Sequence, residues 1–165
     1  MVSRWLHRVN ARGFSFIELS VVMAVIGVAM AISVPFFLTY WQSSTLKAGA
    51  EELVTALNGA RQLALSRNQS VCVTNNATTI AYHLSTCGAA AWTGGGTESD
   101  GSIRLANGVR VSAATANATF NYLGAAGTGA TYTVLHAPSS RALCVVVAPS
   151  GRITVAPPAT QPTCP

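Results

Sequence analysis

The stretch "GFSFIELSVV", residues 13–22, places one carboxylate, Glu18, five residues past a glycine and inside a run apolar enough to enter a membrane. The run extends from Phe14 to Leu38, interrupted only by Ser15, Glu18, Ser20, Ser33 and Pro35. A helix crosses the hydrocarbon core of a bilayer with about 20 apolar residues, so this run is long enough to span one. A charge near the middle of such a helix costs on the order of 2.5 to 3.5 kcal/mol on insertion scales. Glu18 therefore needs a partner of opposite charge.

Upstream, "MVSRWLHRVNARG" carries Arg4, Arg8 and Arg12 and no acid. Basic flanks stay on the cytoplasmic side, which predicts export of the C-terminal part. An ordinary secretory signal has a shorter apolar core closed by a small-residue cleavage site. Val34, Pro35, Phe36 and Phe37 do not fit that rule, and the small residue, Gly13, sits before the run instead. A cut after Gly13 frees an α-amino group on Phe14, four residues from Glu18 and on the same helix face. The new positive terminus is a counter-charge for Glu18, within one chain or between neighbours.

With its basic leader, Gly13, Phe14, Glu18, the apolar helix and Pro35, "RGFSFIEL" resembles the type IV prepilin signature. The resemblance implies a dedicated peptidase that cuts after Gly13 and N-methylates Phe14, and a helix that kinks or melts at Pro35. It also implies an inner-membrane protein, single-pass with a periplasmic C-terminal part, that moves into a pilus or pseudopilus. The partners implied are other pilins or pseudopilins, the prepilin peptidase/N-methyltransferase and an inner-membrane assembly platform. The competing reading is a plain membrane anchor with a stray glutamate.

Composition fits a small exported subunit. The 165 residues leave room for one domain beside the anchor. Removing the three leader arginines lowers the formal charge from +5 to +2, so the basic balance says little about a nucleic-acid partner. Leu46, Ala50, Leu53, Leu57, Ala60 and Ala64 follow each other at steps of four and three, an amphipathic stripe. Pro35 removes one helix hydrogen bond and is expected to bend or loosen the helix there. The pattern predicts helix from about Phe16 to Arg67, roughly 75 to 80 Å if regular.

After Asn68 the period changes to two. Strands are expected at Ser70–Thr74, Ile80–Leu84, Ile103–Leu105, Val109–Ser112, Thr119–Leu123, Tyr132–Leu135, Ala142–Ala148 and Ile153–Val155. "APSGR", 148–152, reads as a turn and "GAAAWTGGGTESDGS", 88–102, as an exposed loop. The fold class is α+β and pilin-like, one long helix packed on an antiparallel β domain. The segments are a leader at 1–13, a membrane or filament-core helix at 14–38, an amphipathic helix at 39–67 and a β domain at 68–165.

Cys72, Cys87, Cys144 and Cys164 all lie on the exported side, where disulfides persist, and four cysteines allow three connectivities. Cys72 and Cys87 bracket a hairpin, and Cys164 can tie the tail "APPATQPTCP" to the strand of Cys144, so 72–87 with 144–164 is preferred. A zinc site competes, but there is no CxxC and His83 and His136 lack ligand spacing. Enzyme motifs are absent: no GxSxG, no HExxH and no P-loop, since "GGG" at 94–96 lacks the lysine and hydroxyl of a phosphate cradle. No cofactor is expected.

The soluble half, "ARQLALSRNQSVCVT", then Cys87, Trp92 and a Gly/Asp loop, then "LCVVVAPSGRITV", resembles minor pilins and pseudopilins of the FimT/GspH type. Three functions follow: a minor pilin at the start or tip of a type IV pilus, an H-type pseudopilin of a type II secretion system, or a DNA-binding minor pilin for natural transformation. DNA-binding relatives carry a "GRxR"-like turn. Gly151 and Arg152 match it, whereas the second basic position holds Thr154. Arg104, Arg110, Arg141 and Arg152 are the candidate phosphate contacts, to be weighed against plain solvated arginines.

The cleavage reading is open to a direct check. Gly13→Leu is expected to leave the leader attached, seen as the unprocessed mass of the membrane-fraction protein. A mature chain still beginning at Phe14 in that variant would refute the site.

Overall fold

The computed structural model describes residues 13–106, 108–113, 115–136, 141–157 and 164. The chain divides into two compact units between Thr39 and Tyr40. One helix, α1, is assigned to Phe16–Arg67 and runs unbroken through Pro35. In the first unit every described side chain is exposed. Hydroxyls there fold back onto the helix: Ser20 donates to the Phe16 carbonyl and Ser33 to that of Ala29. Such back-bonding hides polar groups inside an apolar run.

α1 stops for a local reason. Asn68 takes a positive φ of 51°, and the Gln69 amide bonds back to the Ala64 carbonyl at 3.2 Å. This is the 6→1 closure of a helix C-terminus, with asparagine where glycine is commonest.

Eight strands follow: β1 Val71–Asn76, β2 Thr79–Leu84, β3 Ser102–Arg104, β4 Val109–Ala113, β5 Thr119–Phe120, β6 Ala130–His136, β7 Ala142–Val147 and β8 Ile153–Ala156. They form two antiparallel sheets, ordered β3-β2-β1-β5 and β4-β6-β7-β8. All eight expected strands are present. The expected strand 119–123 ends at Phe120, because the Asn121 side chain accepts the amides of Leu123 and Ala125 at 3.0 Å and turns the chain. A local side-chain acceptor here outcompetes the sheet ladder.

The sheets are joined at the β1–β2 tip, where the Val111 amide bonds the Ala77 carbonyl at 2.7 Å and Asn75 Nδ2 bonds the Val111 carbonyl at 3.0 Å. One core cluster unites the stripe of α1 with both sheets, including Leu53 and Leu57 with Val71, Ile80, Phe120, Val109, Tyr132 and Val145. Burying one such side chain fully contributes about 1.5 to 3 kcal/mol. Every residue of the expected stripe is buried, and Gly49 and Ala56 join it. Gly49 is held by space: a Cβ there would meet Val109 Cγ1 at 2.5 Å.

The disulfides are Cys72–Cys87 and Cys144–Cys164, the preferred pairing. The 88–102 segment is less exposed than expected. Trp92 donates its amide to the Tyr82 carbonyl at 2.7 Å and stacks on the Tyr82 ring with centroids 6.4 Å apart. A large indole gains more from the core edge than from solvent.

Tyr82 fastens β2 to the helix, its hydroxyl donating to the Ala56 carbonyl at 2.6 Å. Burial pushes this phenol up to about 12. Burial also raises Tyr132, whose hydroxyl oxygen accepts the Ala118 amide at 2.8 Å. An unfolded tyrosine ionises near pH 10, and the folded Tyr82 keeps its proton until about pH 12. This contribution to stability is whole below pH 10 and is lost as pH rises from 10 to 12. Denaturant unfolding of Tyr82→Phe is expected to show a loss of about 1 kcal/mol at pH 8. Its decline between pH 10 and 12 should be shallower than that of the wild type; parallel declines would contradict the assignment.

Candidate functional site

Gly13, Phe14 and Ser15 precede α1, and Glu18 lies in its first turn. A carboxylate at this end is favoured by the helix dipole, which places partial positive charge on the unsatisfied amides. Phe14 is 85 % exposed, and Phe16, Ile17, Val25 and Phe36 are all more than half exposed. The Glu18 carboxylate makes no ion pair or hydrogen bond with a described residue. The first unit thus offers an apolar surface on all sides with one carboxylate near its end. So large an exposed apolar surface marks a membrane or protein contact. By length and composition α1 can cross a membrane.

In the second unit the four candidate arginines are all exposed, and the strand register separates them. Arg104 is on β3 of the first sheet, where its Nε bonds Glu98 Oε1 at 3.3 Å. Arg110 pairs with Leu135 of β6, which pairs with Ala142 of β7, next to Arg141. Arg110 and Arg141 therefore share one end of the second sheet, two strand spacings or about 10 Å apart. Arg152 is at the opposite end, in the turn before β8, since Val147 pairs with Ile153. About 20 Å of strand lies between Arg141 and Arg152. The fold gathers two of the four and sets the others apart.

The turn holding Arg152 is built by backbone. The Gly151 amide donates to the Ala148 carbonyl and the Ala148 amide to the Arg152 carbonyl, both at 2.8 Å. Gly151 has φ of 81°, and a Cβ there would collide with the Gly124 carbonyl oxygen.

The remaining chemistry-bearing residues have structural work. His83 Nδ1 lies 2.7 Å from the Ala89 carbonyl, which can only accept, so that nitrogen carries hydrogen. In the neutral ring Nε2 then accepts from the Thr74 hydroxyl at 2.9 Å. The Ala106 amide bonds Glu52 Oε2 at 3.0 Å. Asp100 accepts the backbone amide and hydroxyl of Ser102, and these bonds lower its pKa. No group of three His, Cys, Asp or Glu placed to hold a metal occurs among the described residues. Sequence reasoning missed the closeness of Gly151 to Gly124 and the docking of Trp92; neither contact has a signal along the chain.

A family profile described as type II transport protein GspH matches residues 49–151, and the prokaryotic N-terminal methylation motif matches residues 8–34. No curated protein matches the sequence significantly. Solved structures of two proteins, among those that match, share the fold. The type IV minor pilin FimU of Pseudomonas aeruginosa is 18 % identical with a TM-score of 0.52, over 76 % of this chain and 98 % of that one. The minor pseudopilin EpsH from the Type 2 Secretion System of Vibrio cholerae is 12 % identical with a TM-score of 0.52, over 70 % of this chain and 98 % of that one. At these identities the likeness carries the fold, a long helix on antiparallel sheets.

The scattered arginines set an expectation for DNA. Gel shifts with the purified protein should show weak duplex binding at low salt, in the micromolar range or worse, that vanishes at about 150 mM salt. Tight binding that survives that salt and disappears in Arg152→Gln would place DNA uptake ahead of assembly.

Proposed function

Because the chain belongs to the GspH family and carries the N-terminal methylation motif, it is a minor pilin or pseudopilin, and we propose that it enters its filament through Glu18 and Phe14. The observation that carries this reading is the first unit: apolar and exposed on every face, with a single carboxylate in the first helical turn and Phe14 free ahead of it. Processing after Gly13 supplies a positive Phe14 amine, which N-methylation leaves charged. In the bilayer or the filament core, Glu18 of an incoming subunit meets the Phe14 amine of a neighbour. At low dielectric this attraction is far stronger than in water, and an unpaired charge there is strongly disfavoured. The pair therefore sets axial register. Apolar surface then packs subunit against subunit, and the soluble units decorate or cap the assembly.

The role we place first is in a type IV pilus, at its initiation or tip. Its partners are other pilins, the prepilin peptidase and the inner-membrane assembly platform, and the β domain is periplasmic before assembly. The family's description as a transport protein favours a second reading, the H-type pseudopilin of a type II secretion system. Genes neighbouring this one separate the two, because pilus and secretion genes cluster differently. The chain is a substrate of processing enzymes and carries no catalysis of its own.

Glu18→Val keeps membrane insertion, or improves it, while removing the charge partner. Filament recovery in sheared fractions is expected to fall at least about tenfold, since one lost pair at low dielectric exceeds 1.4 kcal/mol. Recovery equal to wild type would sink the pairing mechanism.

A further inference from the structure

The second unit carries a groove of about 510 Å³ lined by Ser43, Leu46 and Lys47 of α1 and by Arg141, Leu143 and Val155 at β7 and β8. That volume falls within the range of about 300 to 1,000 Å³ usual for small-molecule sites. Its floor is apolar, with Leu46 buried and Leu143 half-buried, while its two charged residues are both cations. Lys47 and Arg141 are exposed, and neither makes an ion pair or side-chain hydrogen bond with a described residue. Among the described residues no carboxylate lines the groove.

We propose that this groove seats the headgroup of an anionic phospholipid from the bilayer that holds residues 14–38, an inference that rests on the membrane-anchor reading above. Charge complementarity selects an anion. Arginine offers a planar fork that matches a phosphate group and lysine a compact positive charge, and the apolar floor suits the glycerol and first methylenes behind it. Chain reach selects the source. Ser43 and Lys47 follow Thr39 by four and eight residues. Even a fully extended chain therefore holds them within about 14 and 28 Å of the end of the span, whatever the angle between the units. Between Thr39 and Ser43 lie Tyr40 and Trp41, 71 % and 61 % exposed, residue types that settle at headgroup level. A lipid surface is thus tethered within reach of the groove before any other partner arrives. An acidic segment of a neighbouring protein is the rival occupant.

The test uses the full chain in nanodiscs of phosphatidylcholine with or without phosphatidylglycerol, with retained lipid read by native mass spectrometry after release. Phosphatidylglycerol is expected to stay bound in preference to phosphatidylcholine. The double variant Lys47→Gln/Arg141→Gln should weaken its retention about 30-fold, two basic side chains each contributing about fivefold near an anionic surface. The charge-matched variant Arg67→Gln/Arg152→Gln, away from the groove, should leave retention within a factor of about two. Equal retention of the two lipids, equal loss in both variants, or displacement of phosphatidylglycerol by free glycerol phosphate would overturn the proposal. A chain that never enters the discs would strike the membrane-anchor reading itself, whereas entry without lipid preference strikes only this one. Because both substituted residues are exposed, intact Cys72–Cys87 and Cys144–Cys164 bonds serve as the folding check.

Discussion

One helix has to satisfy two surroundings, and most of the molecule follows from that constraint. Through Leu38, α1 is apolar on every face and exposed on every face. From Leu46 onward only a stripe is apolar, and much of that stripe is small: Gly49, Ala50, Ala56, Ala60 and Ala64. Small residues let backbones approach, and Gly49 shows how closely, with the Val109 side chain occupying the space a Cβ would need. The core cluster begins at Leu46 and ends at Val147, complete without any residue of the first unit. The apolar surface of residues 14–38 takes no part in that core, and on the reading proposed above filament assembly exchanges a lipid cover for neighbouring helices.

The acids tell the same story from the polar side. Of the five, Glu52 holds the Ala106 amide, Glu98 pairs with Arg104, and Asp100 folds back on Ser102. Glu51 lies exposed on the helix of the soluble unit, where water solvates it. On the reading proposed above, Glu18 is the one acid placed in surroundings that penalise an unpaired charge, and so the one where charge can be converted into specificity. A chain with few charged residues can make one of them decisive because little else competes for its counter-charge.

The elements and disulfides could be read from the sequence because they rest on local rules. The 4-3 spacing from Leu46 to Ala64 marks a helical stripe, alternation marks strands, and Cys72 and Cys87 flank a hairpin that a two-residue turn at Ala77 and Thr78 closes. What escaped is set by individual side-chain contacts and by strand order. Thr119–Leu123 alternates like a strand, yet Asn121 has its own use for the nearby amides. Trp92 lies among glycines that read as solvent loop, yet the Tyr82 ring is there to receive it. The placing of Arg110 and Arg141 at the same sheet end depends on β6 lying between β4 and β7, and no spacing along the chain reveals that order.

The turn at 148–152 shows how a sequence likeness can rest on backbone rather than on chemistry. Gly151 is demanded twice, by its positive φ and by the Gly124 carbonyl that fills the place of a side chain. Arg152 contributes its carbonyl to close the turn, which any residue can do, and projects an exposed side chain. Two residues on, at the second basic position of the "GRxR"-like pattern, Thr154 pairs with Val146 as an ordinary strand residue. The glycine of the "GR" turn is thus accounted for by packing between two loops, and none of the other three candidate arginines shares that end of the second sheet. Phosphate binding draws its strength from several cations neutralising adjacent phosphates together. Arg152 stands at the far end of the β7–β8 hairpin from Arg141, so the register does not gather the four candidate arginines onto one face.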